Sequence, residues 1–226
     1  MKVKYFGHSC FAVNISGKHL LFDPFISPNE LCKDININEI EADYIFVSHA
    51  HFDHLADLLQ IAINTDAKIV AIWEICEWVN KQGYTNTHAM NIGGGWNFEF
   101  GNIQMVRAVH SSSFPDGSYG GQAAGFVVKS NENCFYYSGD TALSYDMKLI
   151  PERHKLDVAF LPIGNNFTMD IQDAIKASEF IQCDHIIGMH YDTFGFIVID
   201  HDAAINQFNQ YGKTLTLLNI SQEIEL

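Results

Sequence analysis

Short apolar runs broken by glycine, proline and polar turns recur along the whole chain, which predicts many strands joined by tight connections. The opening residues read as three strands, Val3–Phe6, Cys10–Ile15 and His19–Phe22, turning at Gly7-His8-Ser9 and at Ser16-Gly17. A loop from Asp23 to Glu41 carries Pro24 and Pro28. Tyr44-Ile45-Phe46-Val47 is continuously apolar, as expected of a strand covered on both faces. Beyond it, Leu55, Leu58, Leu59 and Ile63 fall at helical spacing. The same strand–loop–helix pattern recurs at Lys68–Ala71 and Trp73–Lys81, the helix ending near Gly83. Phe98-Glu99-Phe100 and Ile103–Val109 predict a hairpin turning at Gly101-Asn102. Gly125–Lys129 and Cys134–Tyr137 predict another, around Ser130-Asn131-Glu132-Asn133. Asp157–Leu161 and Ile186–Met189 are further buried strands, each followed by a helix (Ile171–Ile181 and Asp202–Tyr211), and Leu215–Leu218 closes the pattern. Two packed sheets with helices on both outer faces would bury all of these strands. The expected fold is therefore α/β, a four-layer αββα sandwich. No sequence repeat of fixed period links the two strand-rich halves.

Composition narrows the class. With 226 residues, 47% hydrophobic and 18% charged, the chain can bury a substantial core and fits one domain over 1–226. No apolar run reaches the length of a bilayer span, and the N-terminal residues lack the apolar core of a signal peptide. The five cysteines include no CxxC pair, a usage that suits reduced thiols and a cytoplasmic location. A net charge of −14, with only 13 scattered lysines and arginines, argues against a nucleic-acid surface. The expected partner is a small molecule, and homo-oligomerisation is left open.

The chemistry concentrates at His49-x-His51-x-Asp53-His54. From the composition, a fixed pattern of three histidines and one aspartate arises by chance in roughly two per thousand such chains, so a solvated helix start is the weaker reading. His49 and His51 lie two apart and lean to one side of an extended segment. Asp53 and His54 sit where the chain curls into a helix and turn towards a neighbouring point. Three further candidates end predicted strands: His110 after Val106–Val109, Asp140 after Tyr136–Gly139, and His190 after Ile186–Met189. Imidazole and carboxylate donors fixed at strand ends suit zinc, the first expectation, and also manganese, nickel or iron.

In that order, His49-x-His51-x-Asp53-His54, His110, Ser138-Gly139-Asp140-Thr141 and His190 resemble the motifs of the metallo-β-lactamase fold superfamily. Gly7-His8-Ser9-Cys10-Phe11, Asp23-Pro24-Phe25, Gly164-Asn165-Asn166-Phe167-Thr168-Met169 and His190-Tyr191-Asp192-Thr193-Phe194 narrow this. They resemble a bacterial branch of metal-dependent hydrolases akin to ascorbate-6-phosphate lactonase and the N-acyl phosphatidylethanolamine phospholipase D group. The resemblance implies two divalent metal ions, one held by His49, His51 and His110, the other by Asp53, His54 and His190, with Asp140 bridging. Two such ions would share a hydroxide and stabilise a developing oxyanion, so cleavage of an ester, lactone or phosphoester of a small, anionic substrate is expected, with Asp53 also relaying a proton. Two alternatives stand beside this: an iron-dependent redox enzyme on the same fold, and a metal-stabilised binding module without turnover. The branch pattern is broken at Asp170 and at Gly195-Phe196, both expected near the pocket rim.

Other residues are weaker candidates. His8, in a glycine-containing turn, is a candidate proton donor to the leaving group. Asp23 is a candidate to orient a ligand histidine through its free ring nitrogen. Thr141, Asn165 and Asn166 are candidates to line the pocket. Ser111–Gly121 is a polar loop placed to cover it. Gly93-Gly94-Gly95 lacks the lysine of a phosphate loop. Trp73, Trp78 and Trp96 read as core or helix-face residues, and His88, His154, His185 and His201 share no pattern.

Overall fold

The computed structural model describes all 226 residues, Met1–Leu226. Fourteen strands run in chain order: β1 Lys2–Gly7, β2 Cys10–Ile15, β3 Lys18–Phe22, β4 Tyr44–Val47, β5 Lys68–Ile72, β6 Thr87–Met90, β7 Gly95–Phe98, β8 Gly101–Arg107, β9 Ala124–Lys129, β10 Cys134–Tyr137, β11 Val158–Pro162, β12 His185–Met189, β13 Thr214–Thr216 and β14 Glu223–Glu225. Five helices are interleaved: α1 Phe52–Leu55, α2 Leu58–Thr65, α3 Trp73–Lys81, α4 Ile171–Phe180 and α5 His201–Gln210. The strands form two seven-stranded mixed sheets, in the orders β14-β1-β2-β3-β4-β5-β6 and β13-β12-β11-β10-β9-β8-β7. Each half of the chain opens with antiparallel strands and continues with parallel ones, β3 to β6 and β10 to β13. The connection pattern therefore repeats even though the sequence does not.

Side-chain alternation explains why the central strands are apolar throughout. On β10, Phe135 and Tyr137 point into the main core between the sheets, while Tyr136 points to a second core beneath α4 and α5. On β11, Val158 and Phe160 face the main core and Ala159 and Leu161 the second. Both faces are covered, so every position is apolar. Phe22, Phe46, Phe126 and Phe135 meet across the sheets, with ring centroids 4.9–6.4 Å apart for the pairs they form. The α/β sandwich expected from the sequence is the observed architecture.

Several expected details shift. The hairpin of β7 and β8 turns at Glu99-Phe100 rather than Gly101-Asn102, with Phe98 opposite Gly101. Phe100 is buried in the turn and anchors it to the core. Strands β6 and β14 were not expected: β6 is half-buried, β14 is three residues long with only Ile224 packed against the core, and each lies at a sheet edge. Trp78 stacks on Phe114 at 4.9 Å and Trp73 is exposed on α3, as core and helix-face residues, whereas Trp96 is exposed on strand β7. All five cysteines are free and buried. No helix is long and apolar enough to cross a membrane.

Candidate metal centre

The candidate site forms where loops leave the ends of β4, β8, β10 and β12. Strand ends are rigid, and the residues just beyond them take unusual backbone angles. His8, Asp23 and His190 all adopt the left-handed region, with φ of 55°, 43° and 57°. Strain of this kind costs about 1–3 kcal/mol per residue and persists only where the surroundings enforce it. Gly139 (φ 59°) is the residue that lets the chain turn Asp140 inward. A Cβ there would lie 2.6 Å from the Ser48 Cβ and 2.8 Å from the Ala124 carbonyl.

The seven residues singled out in the sequence converge. His49, His51 and His110 present ring nitrogens that all lie within 4.8 Å of one another, and the donor atoms of His8, Asp53, His54 and His190 do the same. Asp140 sits between the groups. Its Oδ2 lies 3.0 Å from His190 Nε2, 3.3 Å from His54 Nε2, 3.6 Å from His110 Nε2 and 4.0 Å from His49 Nε2. His51 enters through its other nitrogen: Nδ1 lies 3.0 Å from His49 Nε2.

A buried network fixes these orientations. Asp23 Oδ1 accepts from the Ser48 backbone N–H (2.7 Å). Its Oδ2 accepts from Ser48 Oγ (2.6 Å), Tyr137 OH (2.8 Å) and His54 Nδ1 (2.8 Å). Because the Ser48 hydroxyl proton goes to Asp23, Ser48 Oγ is left to accept from His49 Nδ1 at 2.9 Å. Both imidazoles thus carry a proton on Nδ1 and aim Nε2 into the site. Asp23 lies behind His54, a candidate ligand. Ser48 and Tyr137 were missed, although each lies beside a motif residue.

Charge distribution bears on whether metal ions fit. Burial would raise the Asp140 carboxyl, but His190 and His54 pull it well below the usual carboxylate range. Asp53 is likewise held low, against burial, by His54 and His8. Burial lowers His49, His51 and His110, so they stand as neutral donors. His54 is raised despite burial, because Asp140, Asp23 and Asp53 surround it. None of these carboxylates pairs with a lysine or arginine. His54 Nε2 and Asp140 Oδ1 are buried without a hydrogen-bond partner. Neutral nitrogen donors and carboxylates aimed at one small volume, with donor atoms left unpaired, fit divalent first-row cations.

The weaker candidates land differently. His8 is fully buried, with Nε2 3.1 Å from Asp53 Oδ2 and Nδ1 3.0 Å from Thr193 Oγ1. Both nitrogens are occupied and the ring does not line the cavity; it faces Asp53. Burial and neighbouring His190 lower its pKa to about 4. Thr141 is buried, and its Oγ1 accepts from Val109 N (3.0 Å), tying the His110 loop to the Asp140 loop. Asn165 and Asn166 do not line the cavity either. They take φ of 63° and 54° and turn the loop that carries Phe167. Ser111 does line it, 3.3 Å from His51 Nε2, while Ser112 binds the Ala50 N–H and the Gly120 carbonyl. Asp170 caps α4 by accepting from Asp173 N. His88, His154, His185 and His201 lie outside the cluster.

The open face of the cluster is a cavity of about 780 Å³, lined by His51, Asp53, His110, Asp140 and His190 together with Ser111, Thr193 and several phenylalanines. It contains no lysine or arginine, so the expected anionic substrate would find no cationic side chain there.

Comparison with known proteins agrees with the fold. A family model described as the beta-lactamase superfamily domain matches residues 2–190. The chain is 54% identical to a protein of Flavobacterium johnsoniae called a UPF0173 metal-dependent hydrolase, over 100% of both chains. It is 46% identical to one of the same name from Methylacidiphilum infernorum, again over 100% of both. A solved metallo hydrolase from the hyperthermophilic archaeon Ignicoccus hospitalis superposes with a TM-score of 0.89 at 30% identity, covering 100% of this chain and 98% of that one.

Proposed function

Because the chain belongs to the UPF0173 metal-dependent hydrolases of the metallo-β-lactamase superfamily, we propose that it is a dinuclear enzyme cleaving an ester, lactone or phosphoester bond. His49, His51 and His110 would hold one divalent ion, Asp53, His54 and His190 the other, and Asp140 would serve both. The observation that carries this reading is the position of Asp140 Oδ2, within 4.0 Å of Nε2 atoms from both histidine groups. Bound divalent ions supply Lewis acidity, easing deprotonation of water near neutral pH and polarising the oxygen of the bond to be broken.

The chain's own groups do the rest. Asp53 lines the cavity and stays ionised, and its Oδ2 is held by His8, leaving Oδ1 to accept a hydrogen bond from the attacking water and orient it. His8 is thereby a positioning residue, itself aligned by Thr193. Asp23, through Ser48 and directly, keeps His49 and His54 in the tautomer that presents Nε2. Ser111 stands at the mouth, within reach of a polar substrate atom. The likeness to lactonase and phospholipase motifs is the reason to include those bond types in the test. Zinc- and manganese-loaded protein should hydrolyse at least one class among lactones, phosphodiesters and acyl esters, and Asp140→Ala should fall to the background rate. Equal turnover by Asp140→Ala, or turnover that needs an electron donor and oxygen, would refute the reading.

A further inference from the structure

Four phenylalanines surround the cavity and remain exposed: Phe52 (51%), Phe167 (52%), Phe194 (39%) and Phe196 (78%). Leaving such rings in contact with water is unfavourable, so a cluster left open beside a reactive centre calls for an occupant. The rings are held in place. Phe52 and Phe194 rest on buried Phe25, with centroids 5.8 and 6.2 Å away. Phe167 meets Phe196 edge-on at 6.5 Å across the mouth.

The loops carrying them are braced by their own hydrogen bonds. Asp192 N donates to the Ile197 carbonyl, Ile197 N to the Phe194 carbonyl and Ile199 N to Asp192 Oδ1. Asn165 N donates to the Met169 carbonyl and Phe167 N to the Asn165 carbonyl. The rim is therefore preorganised rather than a floppy apolar fringe. The polar groups of the cavity are the candidate ligands, Ser111 and Thr193, with no lysine or arginine to pair with a distal anionic group. Positive charge would be confined to the metal ions at the reacting bond.

From this geometry we infer that the substrate is an ester or lactone whose non-reacting part is uncharged and apolar, an acyl chain or aryl ring seated among Phe52, Phe167, Phe194 and Phe196. This rests on the hydrolase reading for the bond cleaved, and on the rim alone for what surrounds it. Cleavage adds water across the acyl–oxygen bond, giving a carboxylic acid and an alcohol, with no other reactant needed.

The test compares p-nitrophenyl esters from acetate to octanoate with matched esters bearing a terminal carboxylate, using metal-loaded protein. kcat/KM should rise about three- to fourfold per methylene while the chain fills the cavity, and the carboxylate series should be poorer at every length. The octanoate-to-acetate ratio should fall at least tenfold in Phe167→Ser/Phe196→Ser. It should be unchanged in Leu149→Ser, an exposed apolar position lining a different cavity. Calorimetric binding of the neutral alcohol 4-phenylbutan-1-ol gives a readout without turnover, and the double variant should weaken it. If no ester is cleaved but the alcohol binds through the rim, the apolar subsite stands and the hydrolase reading fails. A flat or falling chain-length series overturns the inference, as does preference for the carboxylate series. So does a double variant that changes oligomeric state while keeping its selectivity and alcohol binding.

Discussion

Replacing Asp23 by asparagine tests the support behind the candidate ligands without changing the size of the side chain. Asp23 is fully buried and accepts from four donors, three on Oδ2 and one on Oδ1. An asparagine must turn an NH₂ group towards one of these sets. The less damaging flip keeps the oxygen on the Oδ2 side and faces the new amine against the Ser48 N–H. That leaves the buried Ser48 N–H and the new amine both without an acceptor, each costing about 1–3 kcal/mol. The negative charge facing His54 and the proton acceptor behind Ser48 are both weakened, so His49 and His54 are less firmly oriented. Substitutions of groups that hydrogen-bond ligand histidines typically reduce metal affinity about 10–100-fold, which corresponds to about 1.4–2.8 kcal/mol. Competition of zinc between the protein and a chromophoric chelator measures this directly, and urea unfolding of the metal-free proteins separates the loss from a change in folding. A zinc affinity within twofold of wild type, in a folded variant, would refute the argument that Asp23 sets the orientation of the site.

Three further outcomes follow from individual contacts. In Gly164→Ala the new Cβ would lie 2.0 Å from the His190 carbonyl oxygen and 3.0 Å from the Ile197 Cβ. The chain must shift, lowering stability by about 1–3 kcal/mol and displacing His190, as urea unfolding and zinc titration would show. Burial pushes the thiols of Cys32, Cys134 and Cys183 up to about 11 and that of Cys76 to about 12. A raised pKa keeps the unreactive thiol form at pH 8, so native protein should resist iodoacetamide there while unfolded protein labels at all five cysteines. Stripping metal with a strong chelator should lower the melting temperature by roughly 8–16 °C, as expected when ligand at a thousand times Kd is lost from a chain of this size. An unchanged melting curve would contradict that.

The parts of this account that were legible in the sequence are those tied to chain-local patterns. Tyr44–Val47 had to be a buried strand, and the tight spacing of His49, His51, Asp53 and His54 beyond it marked one loop as a source of candidate ligands. His110, Asp140 and His190 were legible because each follows an apolar run, although His110 lies beyond the end of β8 rather than on it. Roles that depend on long-range contacts were not. Whether His8 faces a substrate or Asp53 depends on residues 45 positions away. The four donors around Asp23 belong to Ser48, His54 and Tyr137, which lie 25, 31 and 114 positions away. An edge strand as short as Glu223–Glu225 offers a single apolar position, Ile224, too little for a period to register although that residue packs against the main core. The phenylalanine rim was hidden for a related reason: a ring in a loop reads as core until coordinates show it open to the cavity.

The most direct test of the central claim is metal stoichiometry, counted by native mass spectrometry together with elemental analysis. Wild-type protein equilibrated with zinc or manganese should carry two ions per chain, and Asp140→Ala at most one. Wild type that holds no ion at micromolar metal, or an Asp140→Ala protein that still holds two, would contradict the account.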